Sequence, residues 1–209
     1  MATTLRERKK AKTRAALIEV SQHLFAEQGY NETTLDDISA AVEITTPTLL
    51  RYFPSKADLA LAPLMAPLET LAQFLGSPQR TTGTLEVWRW YVHAEATEAT
   101  NPTSDATATY VANLRAYREW VDKDPVLVAH LSDLERWLQD VLAAALAHDA
   151  GVEPDDLHAT LLAAVLVTGR RAVWDRWLAR GADDTLVENQ LAVVDYAVAS
   201  LEVPSRRDP

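Results

Sequence analysis

The sequence contains no cysteine. Disulfides, thiolate zinc sites and cysteine nucleophiles are therefore excluded together, and nothing points to an oxidising compartment. Long apolar runs are also missing: no stretch approaches the roughly 18 uncharged apolar residues of a membrane span, and the opening MATTLRERKKAKTR lacks the apolar centre of a secretory signal. A cytoplasmic protein with no membrane contact is expected. The five histidines (His23, His93, His130, His148, His158) stand at no metal-like spacing. No nucleophile elbow, Walker loop, dinucleotide fingerprint or zinc-binding His pair is present. An enzyme is disfavoured on these grounds, and neither metal nor cofactor is expected. Glycine is scarce, and five of the six (Gly29, Gly76, Gly83, Gly151, Gly181) fall between periodic segments, where helices stop. Period-two alternation is not sustained anywhere, so no strand is expected.

What is present is helical periodicity and an uneven distribution of charge. The chain of 209 residues is 48% hydrophobic, enough for a sizeable core in one domain or in a small domain joined to a larger one. Residues 1–59 hold 8 Lys+Arg against 8 Asp+Glu, whereas residues 60–209 hold 12 against 22 and carry the whole net charge of −10. Arg6, Arg8, Lys9, Lys10, Lys12 and Arg14 form a basic arm in which Glu7 is the one acid. Such an arm is either a solvated terminus or a contact for a polyanion, and the neighbouring motifs have to decide.

The spacing predicts a first helix over residues 4–28, with Ala16, Val20, Leu24 and Phe25 on its buried face and Gly29 as its stop. Thr34 with Asp37 three positions on gives a capping box for a short second helix that buries Leu35, Ile38 and Ala41. After a three-residue break Thr45 is placed to cap a third helix with Pro47 in its first turn, and Pro54, Ser55 and Asp58 end it and start a fourth. Two short helices around a tight turn, followed by a separately capped helix, make a helix-turn-helix with its support. Beyond it the pattern predicts helices over residues 84–99, 104–123, 125–149, 154–180 and 183–202, with Pro125 and Pro154 in first turns. The fold class is all-α: an N-terminal three-helix helix-turn-helix domain (1–54) and a C-terminal helical bundle (55–204) entered through a linking helix (55–76), then a disordered tail (205–209). Pro63 and Pro67 predict a kink or break in the linking helix near Ala62.

If the helix from Thr45 lies in a major groove, its first residues point at base edges and its far end at the backbone. Thr45, Thr46 and Thr48 then face bases or phosphate, Arg51 and Tyr52 reach phosphate from the last turn, and Lys56 does so from the next helix start. Thr33 and Thr34 offer hydroxyls and N–H groups on the other flank, and Lys12 adds charge from the arm. Each residue has a plainer use, as a cap, core or solvated charge; the combination favours duplex DNA.

The stretch LFAEQGYNETTLDDISAAVEITTPTLLRYFPSKADL resembles the DNA-binding domain of the TetR family of one-component repressors, with Leu24-Phe25, Gly29-Tyr30, Thr33-Thr34, Asp37-Ile38, Thr48, Tyr52-Phe53 and Ser55-Lys56 in the family's order and spacing. The resemblance implies that residues 34–41 and 45–52 form the helix-turn-helix, that Thr34, Thr48, Tyr52 and Lys56 touch operator DNA, and that Phe53 packs beneath. Two positions depart from the pattern. Glu43 stands where the family usually has a turn glycine, at a cost of about 1–2 kcal/mol if held at positive φ, so a differently built turn is expected. Leu50 stands where an aromatic is common.

The second half carries a weaker resemblance, in TGRRAVWDRWLARGADDTL, to the final helix pair of a TetR subgroup whose effector domain is likened to acyl-CoA binders. The family implies a homodimer built on the last two helices. Leu161, Val165, Gly169 and Ala172, with Val187, Leu191, Val194 and Val198, are the candidate interface; ordinary intrachain core is the other use of that stripe. All six tryptophans lie beyond residue 87 and suit a pocket for a bulky, largely apolar effector, for which the subgroup resemblance offers an acyl-CoA-like molecule as a candidate. Trp88, Tyr91, Tyr110, Leu114, Tyr117, Trp120 and Trp174 are candidate lining, with Glu95, Asn113 or Arg171 as polar anchors. The reading is a repressor released from palindromic DNA by a small molecule; a ligand-independent DNA-binding dimer controlled by a protein partner, or constitutive, is the alternative.

Overall fold

The structure is a computed structural model that describes residues 4–101, 112, 114, 116–121, 123–181 and 185–201, with side chains to residue 199. Among the described residues every regular element is a helix: α1 Leu5–Gln28, α2 Leu35–Ala41, α3 Thr46–Leu50, α4 Lys56–Leu75, α5 Thr84–Thr100, a helical stretch over 116–121, α6 Pro125–Ala150, α7 Leu157–Ala179 and α8 Leu186–Leu201. The all-α expectation holds. The 205–209 tail lies outside the described residues.

Local chemistry accounts for the helix starts. Thr4 and Glu7 form a reciprocal capping box at α1, and Thr34 and Asp37 form another at α2. Gly29, at φ 96°, ends α1 and returns its amide to the Phe25 carbonyl. Ser55 accepts the Asp58 amide at 3.0 Å and donates to the Asp58 carboxylate at 2.7 Å, which starts α4. Pro125 opens α6 as expected, but Pro154 lies ahead of α7, whose cap is Asp156.

The chain divides into two compact units, one of residues 1–67 with 113–131 and the other of 68–112 with 132–209. The core of the first contains Leu17, Phe25, Ile38, Leu49, Phe53 and Leu59, all at most 3% exposed. The buried face of α1 is Leu17, Ser21, Gln22 and Phe25, shifted by one position from the face expected through Ala16, Val20 and Leu24, which are only partly buried. A serine and a glutamine hid it from the apolar pattern. The Ser21 hydroxyl is satisfied by the Ile18 carbonyl at 2.8 Å, and the Gln22 amide reaches the Ala60 carbonyl at 3.4 Å.

Two sequence expectations are corrected here. Of the kink or break expected near Ala62, the break is the part corrected: α4 continues through Pro63 and Pro67 to Leu75. Each proline removes one intrahelical hydrogen bond, yet Leu59, Ala60, Leu61 and Ala62 are consecutively buried, so this turn is packed on every side and held from outside. The turn between α2 and α3 is not built differently for want of glycine, because Glu43 itself takes φ 56°. Its amide bonds the Ala40 carbonyl at 3.1 Å, and the Ile44 amide bonds the Ser39 carbonyl at 3.0 Å.

In the second unit α8 packs against α5 and α7. Gly169 is required there: a Cβ at that position would collide with the Val193 Cγ1 methyl, and valine has little rotamer freedom to yield. Asp149, near the end of α6, receives the Arg80 guanidinium at 2.6 Å and the Thr84 amide at 2.6 Å, fastening the loop before α5.

Two stability outcomes are expected. Glu43→Gly relieves the positive-φ strain and, after the greater backbone freedom glycine gains in the unfolded chain, raises stability by about 0.5–1 kcal/mol in urea unfolding. Burial alone would raise the Asp149 carboxyl, but the bonds from Arg80 and Thr84 outweigh it and hold the group well below the usual carboxylate range. A depressed carboxyl stabilises above its unfolded value, about 3.9, and that contribution fades as pH falls. Wild-type stability should therefore drop below about pH 5 more steeply than that of Asp149→Asn, as followed by thermal unfolding across pH.

Candidate functional site

The α2–turn–α3 segment is stapled from within by hydroxyls. Thr46 donates to the Asp36 carboxylate at 2.5 Å and shares a 2.9 Å contact with Ser39, binding the start of α3 to α2. The Thr45 hydroxyl pairs with that of Thr48 at 2.9 Å and makes no side-chain cap, so the cap expected from Thr45 is corrected; its carbonyl accepts the Thr48 and Leu49 amides instead. Helix α3 ends at Leu50, which leaves Arg51 and Tyr52 in the following turn.

Thr33 is a further correction. Its side chain is fully buried, its hydroxyl donates to the Gly29 carbonyl at 2.8 Å, and its amide bonds the same carbonyl. It holds the α1–α2 connection and offers no hydroxyl to a partner. Lys56 is also occupied: its ammonium donates to the carbonyls of Tyr30 at 2.8 Å, Thr33 at 3.1 Å and Asn31 at 3.4 Å, and it lies 4.3 Å from the Tyr30 ring centroid. Burial lowers the pKa of Lys56, with Asp124 and Glu32 opposing, and the same desolvation, aided by Asp124 and Asp58, pushes the Tyr30 hydroxyl up to about 12.

The open groups are Thr34, Thr45 and Arg51, with the partly buried Thr48 and Tyr52 beside them and Lys12 exposed on α1. Thr34 donates its hydroxyl at 2.6 Å and its amide at 2.9 Å to the Asp37 carboxylate, bonds that hold that carboxyl below its ordinary range, and its hydroxyl oxygen accepts the Asp37 amide. Leu50 is 40% exposed among these groups. The surface is therefore mixed, with hydroxyls and one guanidinium around an apolar side chain, presented by a rigidly fastened short helix. Such a surface suits base edges and phosphate oxygens. Asp36 and Ser39, which fix its register, carried no sequence signal beyond their polarity.

The aromatic candidates separate. Tyr117 and Trp120 belong to the first unit, where Trp120 stacks on Tyr30 with centroids 5.7 Å apart and meets Phe25 edge-on at 5.5 Å. Their packing beneath the reading helices replaces the pocket role expected of them. Leu114 is partly buried, while Tyr110 and Asn113 lie outside the described residues. In the second unit Trp88 stacks on Tyr91 at 5.7 Å, and Tyr91 donates its hydroxyl to Glu95 at 3.3 Å. Burial, then the neighbouring Glu95, drives the Tyr91 hydroxyl far above its ordinary range. Glu95 also accepts from Arg170, at 2.9 and 2.5 Å, and from the Trp174 indole at 3.3 Å. Arg170, not Arg171, is the basic partner in this cluster; Arg171 turns to Glu135 at 2.9 Å and Asp175 at 3.6 Å. Helical phase separates the neighbours by about 100°. The buried Trp88 indole N–H finds no hydrogen-bond partner among the described residues.

Of the candidate interface residues, Leu161, Val165, Gly169 and Ala172 line an open groove between α7 and α8. On the α8 half of that stripe Val194 is 3% exposed and is corrected, while Val187, Leu191 and Val198 are partly buried and do not line the groove. The groove is completed by Ala192, Val193 and Tyr196, the last 69% exposed. Helix α8 is apolar on two sides, and its valine stripe is the one it turns inward.

Comparison with known proteins matches this geometry. Residues 17–62 fit the family model for bacterial regulatory proteins of the tetR family. Over 200 residues the chain is 29% identical to the HTH-type transcriptional regulator TcmR of Streptomyces glaucescens, covering 94% of this chain and 86% of that protein. The solved complex of SmeT with triclosan has a similar fold, with a TM-score of 0.65 at 18% identity over 95% of this chain and 98% of that one. Thermus thermophilus FadR, a TetR family repressor solved with lauroyl-CoA, follows at 0.60 and 21% identity over 94% and 98%.

Because Lys56 serves three carbonyls, Lys56→Met should lower stability by about 1–3 kcal/mol, the range for charge-assisted bonds, in urea unfolding without DNA. A residue used only for phosphate contact would leave that midpoint unchanged.

Proposed function

For a chain that is a TetR-family transcriptional regulator with a DNA-binding helix-turn-helix, we propose a repressor that binds palindromic operator DNA as a homodimer and is released by a bulky, largely apolar effector. The observation that carries this reading is the stapled α2–α3 pair, whose open side presents Thr34, Thr45, Thr48, Arg51 and Tyr52. Thr45 and Thr48 are assigned to base edges, and Arg51, Tyr52, Thr34 and Lys12 to phosphate. The backbone carbonyls hold Lys56, so its part in DNA binding is to position the segment. The dimer is assigned to the α7–α8 groove, since an open apolar trough with the exposed Tyr196 ring at its rim suits burial against a second copy.

The effector is assigned to the second unit. A buried ion pair such as Glu95–Arg170 adds little net stability, and here it lies beside the unpartnered Trp88 indole. Recognition of a polar group on an otherwise apolar molecule accounts for both. The complexes of SmeT with triclosan and of FadR with lauroyl-CoA concern those proteins; they support the reading that this fold accepts apolar ligands.

The test is enrichment of duplexes from a random pool by the purified protein. Recovery of two-fold symmetric half-sites about 34–36 Å apart is expected. Arg51→Gln, at an exposed position, should weaken binding to the recovered duplex about tenfold, equivalent to ~1.4 kcal/mol, with an unchanged melting temperature. A hydrophobic compound that both stabilises the protein and releases that duplex completes the reading, and failure to enrich any sequence rejects it.

A further inference from the structure

We infer that the first three turns of α1 form a rigid basic arm that grips phosphates of the duplex flanking the operator half-site. This inference rests on the DNA-binding reading above. No residue of α1 before Leu17 is buried: residues 5–12 are exposed and project as free helix for about 12 Å at 1.5 Å per residue, and Thr13, Arg14 and Ala16 are half-buried where the arm meets the domain. The Thr4–Glu7 box starts the helix, the Glu7 carboxylate accepting the Thr4 amide at 2.7 Å and the Glu7 amide bonding the Thr4 hydroxyl at 3.2 Å. The one acid of the arm is thereby consumed as a cap.

Register assigns the arm its partner. Leu17, Ser21 and Phe25 repeat every four residues along the face that α1 buries. Three residues before Leu17, and then at intervals of four on the same side of the helix, stand Arg14, Lys10 and Arg6, so the face that packs on protein beyond residue 17 carries a basic stripe before it. At the junction the Arg14 guanidinium lies 5.0 Å from the centroid of the Phe53 ring, three residues after α3 ends. The stripe is therefore continuous with the surface assigned to DNA.

Charge makes the free arm unfavourable and a polyanion its natural complement. Arg6 with Lys10, Lys10 with Arg14, and Arg8 with Lys12 are like-charged pairs four apart, and they lie at the helix end where the macrodipole also opposes cations. Phosphates relieve both effects. An arm of about 12 Å spans about three to four base pairs at 3.4 Å each, so the operator should need flanking duplex that the helix-turn-helix never reads.

The test uses the full chain and its enriched duplex, with ten or with no flanking base pairs, and the variant Arg6→Gln/Lys10→Gln, whose side chains lie outside the core. Wild type should bind the trimmed duplex tenfold or more weakly near 0.1 M salt. The variant should show that loss on the long duplex and be indifferent to trimming. Its salt slope should be shallower by about 0.9 per lost phosphate, or roughly 3 to 4 for a dimer losing two on each arm. Equal sensitivity of wild type and variant to trimming overturns the inference while leaving the parent reading intact. Tighter binding by the variant overturns it too, since the arm would then oppose DNA binding rather than support it. Absence of any enriched duplex removes the parent reading as well.

Discussion

The contact on which the reading head depends is the Lys56 ammonium lodged among the carbonyls of Tyr30, Asn31 and Thr33. Between the ends of that contact lie α2, of seven residues, and α3, of five. Isolated helices this short are far below the length at which a helix sustains itself in water. They persist because the segment is closed at its base, where a charged donor supplies three bonds and the Tyr30 ring covers it. Trp120 stacks on that same Tyr30 ring, so aromatic packing and the ammonium act on one corner of the fold. A lysine that appears from sequence to be a surface cation is spent on holding the surface together.

Within the closed segment, burial outweighs local preference. Glu43 accepts a positive φ that costs about 1–2 kcal/mol, while Ile38 before the turn and Leu49 after it are both fully buried. Burying two such side chains contributes about 3–6 kcal/mol, so the chain keeps the turn that brings them together and bears the strain. The same balance explains α4. Pro63 and Pro67 would break an exposed helix, but this one enters the core with four consecutive residues buried, and the missing backbone bonds are tolerated inside a packed environment.

The second unit follows another logic, in which polar groups are sequestered rather than displayed. Glu95 gathers a tyrosine hydroxyl, an indole N–H and a bidentate guanidinium from two helices. Each acceptor site is filled, as a buried carboxylate requires. Outside it, α7 and α8 approach closely enough that only glycine fits opposite Val193, and that closeness leaves a trough along their outer edge. The sequestered cluster thus lies between α5 and α7 and the trough between α7 and α8, with α7 contributing to both.

Helix type, order and most boundaries were legible in the sequence, because caps, periodicity and breakers act within a few residues of one another. Thr34 with Asp37, Ser55 with Asp58, and Gly29 needed nothing distant to take their places. That Thr34, Thr45 and Arg51 stand open, with Thr48 and Tyr52 partly so, was legible for the same reason. Contacts between residues remote in the chain decided the rest. They buried Thr33, engaged Lys56 and Thr46, drew Tyr117 and Trp120 into the first core, chose Arg170 over its neighbour, and turned the α8 valines inward. A linear pattern records which side chains are polar or apolar and how often they recur. Which of two apolar faces finds a partner, and whether a hydroxyl or ammonium is used up inside the fold, depends on what the remainder of the chain brings against it.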